Sequence, residues 1–467
     1  MASFKQCHVM MFPWLAFGHM IPFLEFSKKL AANGIRISYI STPRNVQRLP
    51  AIPPNLADRI KFVEIPLPSV DGLPQHCGAT IDLQQVQIQY LKKACDGLRE
   101  PIEKLMQEDL PDWILFDFVQ CWIPEIAAKL GVPCAFFSAY SAAALAFMGS
   151  PQELTSFKKR NKPEDFTMAP DWFPFPSLVA HRLDQAAIMF QNVRFPDISG
   201  MSSGDRLAKT FEGCDFVAVR SCREFEGAYL DILGQLYQKP VLPVGLLPPN
   251  SVGNRSHDSD SSNWSSTLKW LDEQEPKSVV FVGFGSEYKM PIEQVHELAH
   301  GVEHSGLPFI WTLREPEGVS CQDLLPSGFM SRISNKGLVY LGWAPQLEIL
   351  AHFAIGGCLF HSGWGSIIES LGFGHPQILM PMVADQGLMS KLLVEKGIGI
   401  EEQRNEDGSF NREVVAKTMR LVMVEQEGRP LRQKAAQMQT IFANHDLHDS
   451  YIRKLIQYLD EYKKKEY

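Results

Sequence analysis

The chain is short of the features that would place it in several large classes of protein. Its nine cysteines stand singly at 7, 77, 95, 121, 134, 214, 222, 321 and 358. That odd number, without C-x-x-C spacing, argues against a disulfide framework and a thiolate zinc site and points to a reducing compartment. No basic stripe is present, and a net charge of -8 with a pI near 5.9 leaves nucleic acid without its electrostatic partner and favours a small molecule. The longest apolar run, residues 132–148, is broken by Ser138, Tyr140 and Ser141 and falls short of a membrane span. The opening MASFKQCHVMMF has no cleavage pattern for secretion, so a cytoplasmic protein without membrane insertion is expected. A G-x-G-x-x-G after the first strand is also missing, which weakens the reading of a dinucleotide-dependent oxidoreductase.

What is present suits a folded protein with large cores. Hydrophobic residues make up 45% and charged residues 21% of a chain too long, at 467 residues, for one ordinary core. Two domains are expected. The first half alternates short β-branched or aromatic runs with amphipathic ones, the signature of a parallel sheet covered by helices. HVMMF (8–12) reads as a strand, a helix starts near His19 and stops at Asn33-Gly34, and IRISYIS follows as a strand. WILFD (113–117), a helix from about Trp122 to Leu130 with Gly131 as its cap, and CAFF (134–137) form another βαβ unit. Residues 150–200 read as an irregular insertion that shapes a pocket. After VLPVGLLPP the chain turns polar (NSVGNRSHDSDSSNWSS), which marks a boundary. The alternation then repeats through VVFVGF, PFIW, LVYLG, GGCLF and QILMPM.

The fold class is therefore α/β, with two tandem Rossmann-like doubly wound domains facing across a cleft. The boundaries fall at 1–249, a linker 250–266, 267–445, and a tail 446–467 whose amphipathic part (450–462) packs back as a helix. A monomer is expected. Ligands of such sheets sit at the carboxyl ends of the strands, and the chemistry-bearing residues gather there. HSGWGS follows GGCLF as a glycine-bearing turn that opens a helix at Ser366, so backbone amides and the positive helix end face whatever lies above, joined by His361 and Ser366. Ser366-x-x-Glu369 also has the spacing of a capping box. Trp343 is either a core aromatic or a stacking platform, and Asp385 is either a helix cap or a ligand contact beside Gln386. His19 follows the loop PWLAFG at a helix start, where the dipole favours the neutral ring; Asp117 ends WILFD and could cap the helix after it.

The whole segment 343–386 resembles the donor-binding signature of plant family-1 UDP-sugar-dependent glycosyltransferases. The likeness extends over nearly the whole chain and is closest to the branch-forming subgroup, which adds a sugar to acceptors already glycosylated. It implies a GT-B fold whose C-terminal domain binds a UDP-sugar as co-substrate, with no cofactor and no metal; no D-x-D pair lies near 343–386. By that resemblance Trp343 stacks on uracil, with Ala344 and Gln346 beside it and Glu369 on the ribose. Ser286, His361, Trp364, Gly365 and Ser366 line the diphosphate, and Asp385 and Gln386 reach the sugar. The Gly-His-x-x-Pro element in FGHMIP matches the family's general base, His19, and Asp117 its partner acid. Apart from the resemblance, aromatics such as Trp14, Phe118 and Trp122 are either acceptor contacts or core residues. Two positions depart from the family pattern, Ser362 for its usual Cys and Gly365 for its usual Asn. Gln386 leans towards glucose, while the altered turn leaves UDP-rhamnose open. A nucleotide-sugar-binding protein without catalysis is the alternative of another class.

Overall fold

The computed structural model describes residues 7–249, 261–285, 287–313, 324–342, 344–405 and 407–466. It divides into two compact units. One comprises residues 1–166, 186–247 and 445–467, the other 167–185 and 248–444.

The first unit is built on a seven-stranded sheet: β1 (His8–Phe12), β2 (Arg36–Ser41), β3 (Ile60–Glu64), β4 (Trp113–Phe116), β5 (Cys134–Ser138), β6 (Phe216–Val219) and β7 (Val241–Pro243). Its order is β3-β2-β1-β4-β5-β6-β7, and every pairing is parallel. β1, β4, β5 and β6 are buried along their whole length, which is why they read as unbroken apolar runs rather than alternating ones. The strand order reverses between β1 and β4, where Val9 pairs with Trp113 and Phe12 with Phe116. The loops leaving those two strands therefore start side by side. The helix after β1 runs Phe17–Ala32, starting two residues before His19, with Pro22 inside it. The helix Ile123–Leu130 ends at Gly131, whose φ of +66° is left-handed and lets its N–H turn back onto the last carbonyls.

The tail forms one long helix, His445–Glu466. Ile452, Leu455, Ile456 and Leu459, spaced i, i+3, i+4, i+7, join the core around Met11, Trp113 and Phe216. Beyond them Tyr462 meets Trp113 edge-on at 4.9 Å and donates to Asp215 at 2.9 Å.

The second unit carries β8 (Val279–Gly283), β9 (Phe309–Leu313), β10 (Gly337–Leu341), β11 (Ile355–Phe360), β12 (Gln377–Leu379) and β13 (Gly399–Glu401), in the order β10-β9-β8-β11-β12-β13. Reversal here falls between β8 and β11, with Gly283 opposite Phe360.

Three features differ from the expected organisation. Residues 250–260 of the expected linker lie outside the described residues, and its last part is helical: the helix Ser261–Asp272 places Trp264, Leu268 and Leu271 on one stripe, with Leu271 fully buried. The irregular insertion contains two helices, Pro151–Ser156 and Leu183–Arg194. Within it, residues 167–185 belong to the second unit. Glu395 accepts hydrogen bonds from the Ser177 hydroxyl and the Leu178 amide, both at 2.8 Å, and Arg182 pairs with Glu401 at 3.3 Å. Those partners lie more than 200 positions away, beyond the reach of local pattern.

Among the described residues no cysteine is disulfide-bonded, and no helix is long and apolar enough to cross a membrane.

If the tail helix is part of the first core, Leu455→Ala should destabilise that unit by about 2–5 kcal/mol, the usual result of emptying a buried leucine site. Urea unfolding measures it, and a loss under about 1 kcal/mol would detach the helix from the core.

Candidate functional site

At the reversal point of the first sheet, the loop after β1 and the turn after β4 share one carboxylate. Asp117 is fully buried. Its Oδ1 accepts from the Phe118 amide at 2.8 Å, capping the short helix Phe118–Gln120. Its Oδ2 accepts from the Trp14 amide at 3.1 Å and lies 2.8 Å from His19 Nδ1. The capping and histidine-holding readings are thus both satisfied, one by each oxygen. An ionised carboxylate only accepts, so Nδ1 is the ring nitrogen that carries the proton here, and in the neutral ring the lone pair is on Nε2. The turn itself is tied down from the helix Ser203–Gly213: Arg206, fully buried and paired with Asp96, donates to the Val119 carbonyl at 2.8 Å.

Of the three aromatics proposed for an acceptor, Phe118 borders the histidine, with ring centroids 6.0 Å apart. Trp14 and Trp122 are buried, and Trp122 packs edge-on against Phe12 at 6.2 Å, its indole N–H without a hydrogen-bond partner among the described residues. Sequence reasoning missed Tyr140, whose half-buried ring meets His19 edge-on at 5.1 Å. It sits two residues beyond β5, so the carboxyl-end rule that pointed to Asp117 also marks it.

In the second unit the corresponding point is the turn after β11. The His361 ring packs against the backbone of two glycines: a Cβ on Gly285 would lie 2.8 Å from Cε1, and one on Gly363 2.6 Å from Nε2. Any side chain at either position would displace the imidazole. Burial pushes its pKa down to about 4, so the ring is neutral near pH 7. Ser362 is fully buried with a left-handed φ of +66°, and its hydroxyl has no hydrogen-bond partner among the described residues. Such a backbone costs a non-glycine residue about 1–2 kcal/mol.

The helix here is Trp364–Gly372, beginning two residues before Ser366. This corrects the capping-box reading. Ser366 is the helix's third residue, and Glu369, a turn further on, instead accepts from Gln346 Nε2 at 2.7 Å. The Trp364 indole is buried, its ring 6.3 Å from that of Phe442. The amides of Trp364, Gly365 and Ser366 are among those at a helix start that have no partner within the helix. Gln346 opens the helix Gln346–Ala351, its amide on the Ala344 carbonyl at 2.8 Å. Trp343 and Ser286 lie outside the described residues.

The third element is the loop from β12 to the helix Gln386–Glu395. Asp385 occupies the N-cap position without a side-chain capping bond, so the helix-cap reading is not realised. Gln386 Oε1 accepts from the Met382 and Val383 amides, both at 2.9 Å, which leaves Nε2 as the amide's donor end. Ala384 has a φ of +56°. The carboxyl end of one sheet thus collects helix-start amides and a neutral histidine for an anion, a Gln–Glu pair for hydroxyls, and an acid–amide pair at the next helix start. Among the described residues, no group of three or more His, Cys, Asp or Glu could hold a metal ion.

A family model described as UDP-glucoronosyl and UDP-glucosyl transferase matches residues 261–423. UDP-glycosyltransferase 91C1 of Arabidopsis thaliana is 43% identical over 454 residues, 97% of this chain and 96% of that protein. Soyasaponin III rhamnosyltransferase of Glycine max is 40% identical, covering 98% and 96%. Among solved structures, UGT73P12 of Glycyrrhiza uralensis, complexed with glycyrrhetinic acid 3-O-monoglucuronide, superposes with a TM-score of 0.79 at 24% identity, over 98% and 97% of the two chains.

The lowered pKa of His361 has a measurable sign. The unfolded chain takes up its proton near 6.5 and the folded one only near 4, so this group's contribution to stability is present above 6.5 and lost as pH falls through that window. Ring nitrogen shifts in NMR should show no titration of His361 from pH 8 to about 5; a midpoint near 6.5 would mean that the ring is solvated.

Proposed function

Because the chain belongs to the plant family-1 UDP-sugar-dependent glycosyltransferases, we propose that it transfers a hexose, glucose foremost, from a UDP-sugar to a hydroxyl of a small lipophilic plant metabolite or its glycoside, inverting the anomeric centre. The observation that carries this reading is the 2.8 Å contact between His19 Nδ1 and a buried, triply bonded Asp117. Nε2 of His19 takes the acceptor's proton as its oxygen attacks the anomeric carbon and the bond to the UDP oxygen breaks. Asp117 holds the tautomer and stabilises the imidazolium that results. Phe118 and Tyr140 wall the acceptor beside the base, with Trp14 and Trp122 as further apolar residues of the same strand ends.

The second unit carries the donor. Trp343, Ala344 and Gln346 take the base and Glu369 the ribose; Ser286, His361, Trp364, Gly365 and Ser366 take the diphosphate, and Asp385 and Gln386 the sugar. Charge developing on the leaving diphosphate meets amides that are already oriented, each such donor being worth roughly 2.7–4 kcal/mol in comparable sites. No step in this scheme is routed through a metal. With its oxygen committed to the loop, Gln386 donates to a sugar hydroxyl while Asp385 accepts from one, which suits a pair of neighbouring hydroxyls. Free thiols support a cytoplasmic setting.

UDP-rhamnose is the second reading, favoured by the turn with Ser362 and Gly365 and by the likeness to the soyasaponin rhamnosyltransferase. A binding protein without catalysis is disfavoured by the intact His19–Asp117 pair.

His19→Ala should lower kcat/KM by about 10²–10⁴-fold and Asp117→Asn by up to about 10⁴-fold, both with UDP affinity retained, as measured by UDP release with an acceptor panel. Tight UDP binding without turnover in the unsubstituted chain would establish the binding protein instead. In competition among UDP-glucose, UDP-rhamnose and UDP-xylose on a monoglycosylated acceptor, glucose should be transferred fastest; a preference for rhamnose would replace the first reading by the second.

A further inference from the structure

The loop that presents Asp385 and Gln386 is irregular between Leu379, the end of β12, and Gln386, and it is held from two sides. One hold is internal, the Gln386 oxygen on the amides of Met382 and Val383. The other comes from the segment after β13. Arg404 Nη2 donates to the Pro381 carbonyl at 3.3 Å and lies 3.3 Å from Met382 Sδ, while Nη1 donates to the Gly408 carbonyl at 2.9 Å. The guanidinium stacks 4.8 Å above Phe410, a buried member of the second unit's core. Burial lowers its pKa to about 10, still charged at neutral pH, with Arg182 opposing and Asp184 supporting the charge.

A cation set on an apolar ring is costly to desolvate, more than closing one turn at Gly408 calls for. Pro381 has no N–H, so its carbonyl is its only backbone hydrogen-bonding group. With that carbonyl held by Arg404, and the next two amides held by Gln386, the path of residues 381–383 is set at each step. Its result is the orientation of the Gln386 amide: oxygen towards the loop, Nε2 outward.

Resting on the proposed function, we infer that Arg404 is a positioning residue for donor choice, fixing the sugar-binding loop and so the donor end of Gln386 without touching the nucleotide. Without it the Pro381 carbonyl turns freely, the two amides shift, and Gln386 can present either end to the sugar. His361, Ser366 and Glu369, carried by β11 and the helix after it, keep their places.

The test separates sugar from nucleotide. In Arg404→Met, KM for UDP-glucose should rise up to roughly ten-fold, as expected when the Gln386 hydrogen bond to the sugar is weakened or lost, while the competitive Ki of UDP stays within about two-fold. The preference for UDP-glucose over UDP-rhamnose should shrink in parallel. Arg404→Lys keeps the charge but not the fork and should fall between. If Arg404→Met does not fold, as judged by thermal melting, the Lys variant decides on the same ratio. KM and Ki rising together, or neither moving, would overturn the inference while leaving the proposed function standing. An unsubstituted chain that turns over no UDP-sugar would overturn both.

Discussion

Parallel pairing at the point where strand order reverses is the constraint on which both units depend. Neighbouring strands β1 and β4 send their connections to opposite sides, so the carboxyl end between them is uncovered and lined by two loop starts. Everything chemical in the first unit follows from that adjacency: one loop brings the Trp14 amide and His19, the other brings Asp117, and three donors converge on one buried carboxyl group. The same arrangement between β8 and β11 sets Gly285 against His361 and places the start of the helix Trp364–Gly372 at the carboxyl end of the sheet.

The site turns are built with local conflict, and the surroundings hold it in place. Ser362 and Ala384 both adopt left-handed backbone without being glycine, and each adjoins a helix start at the carboxyl end of the second sheet. Ser362 also buries a hydroxyl without a partner among the described residues. Strain of this kind persists only where neighbours over-determine the backbone. Gly285 and Gly363 against the His361 ring do so for the first turn; Gln386 and Arg404 do so for the second. The helix-start amides of both turns are thereby held in place by the protein itself.

Legibility in the sequence followed the range of the interactions. Gly131 as a helix stop is a local steric matter and was visible. So were the apolar runs, because strands buried on both faces have no polar side to confuse them. The helix starts at Phe17 and Trp364 were placed two residues late, since both are preceded by caps, Ala16 and Gly363, whose side chains make no capping bond. Glu369 shows the limit of spacing: Ser-x-x-Glu is the same string whether or not the helix begins at the serine, and only the partner Gln346, 23 positions away, distinguishes them. Tyr140 was passed over because nothing in its own neighbourhood marks it; its ring matters only once β5 lies beside β4.

By itself, then, the sequence determined the alternating α/β pattern, the position of the glycine-bearing turns, and which residue types stand at strand ends, because these depend on side-chain sterics and periodicity over a few positions. Tertiary structure alone decided which of those ends meet. It paired His19 with Asp117 across 98 positions, returned residues 167–185 to the second unit and the tail helix to the first, and set Arg404 on the carbonyl of Pro381. Contacts of that range arise from strand order and register, which no local run of residues encodes.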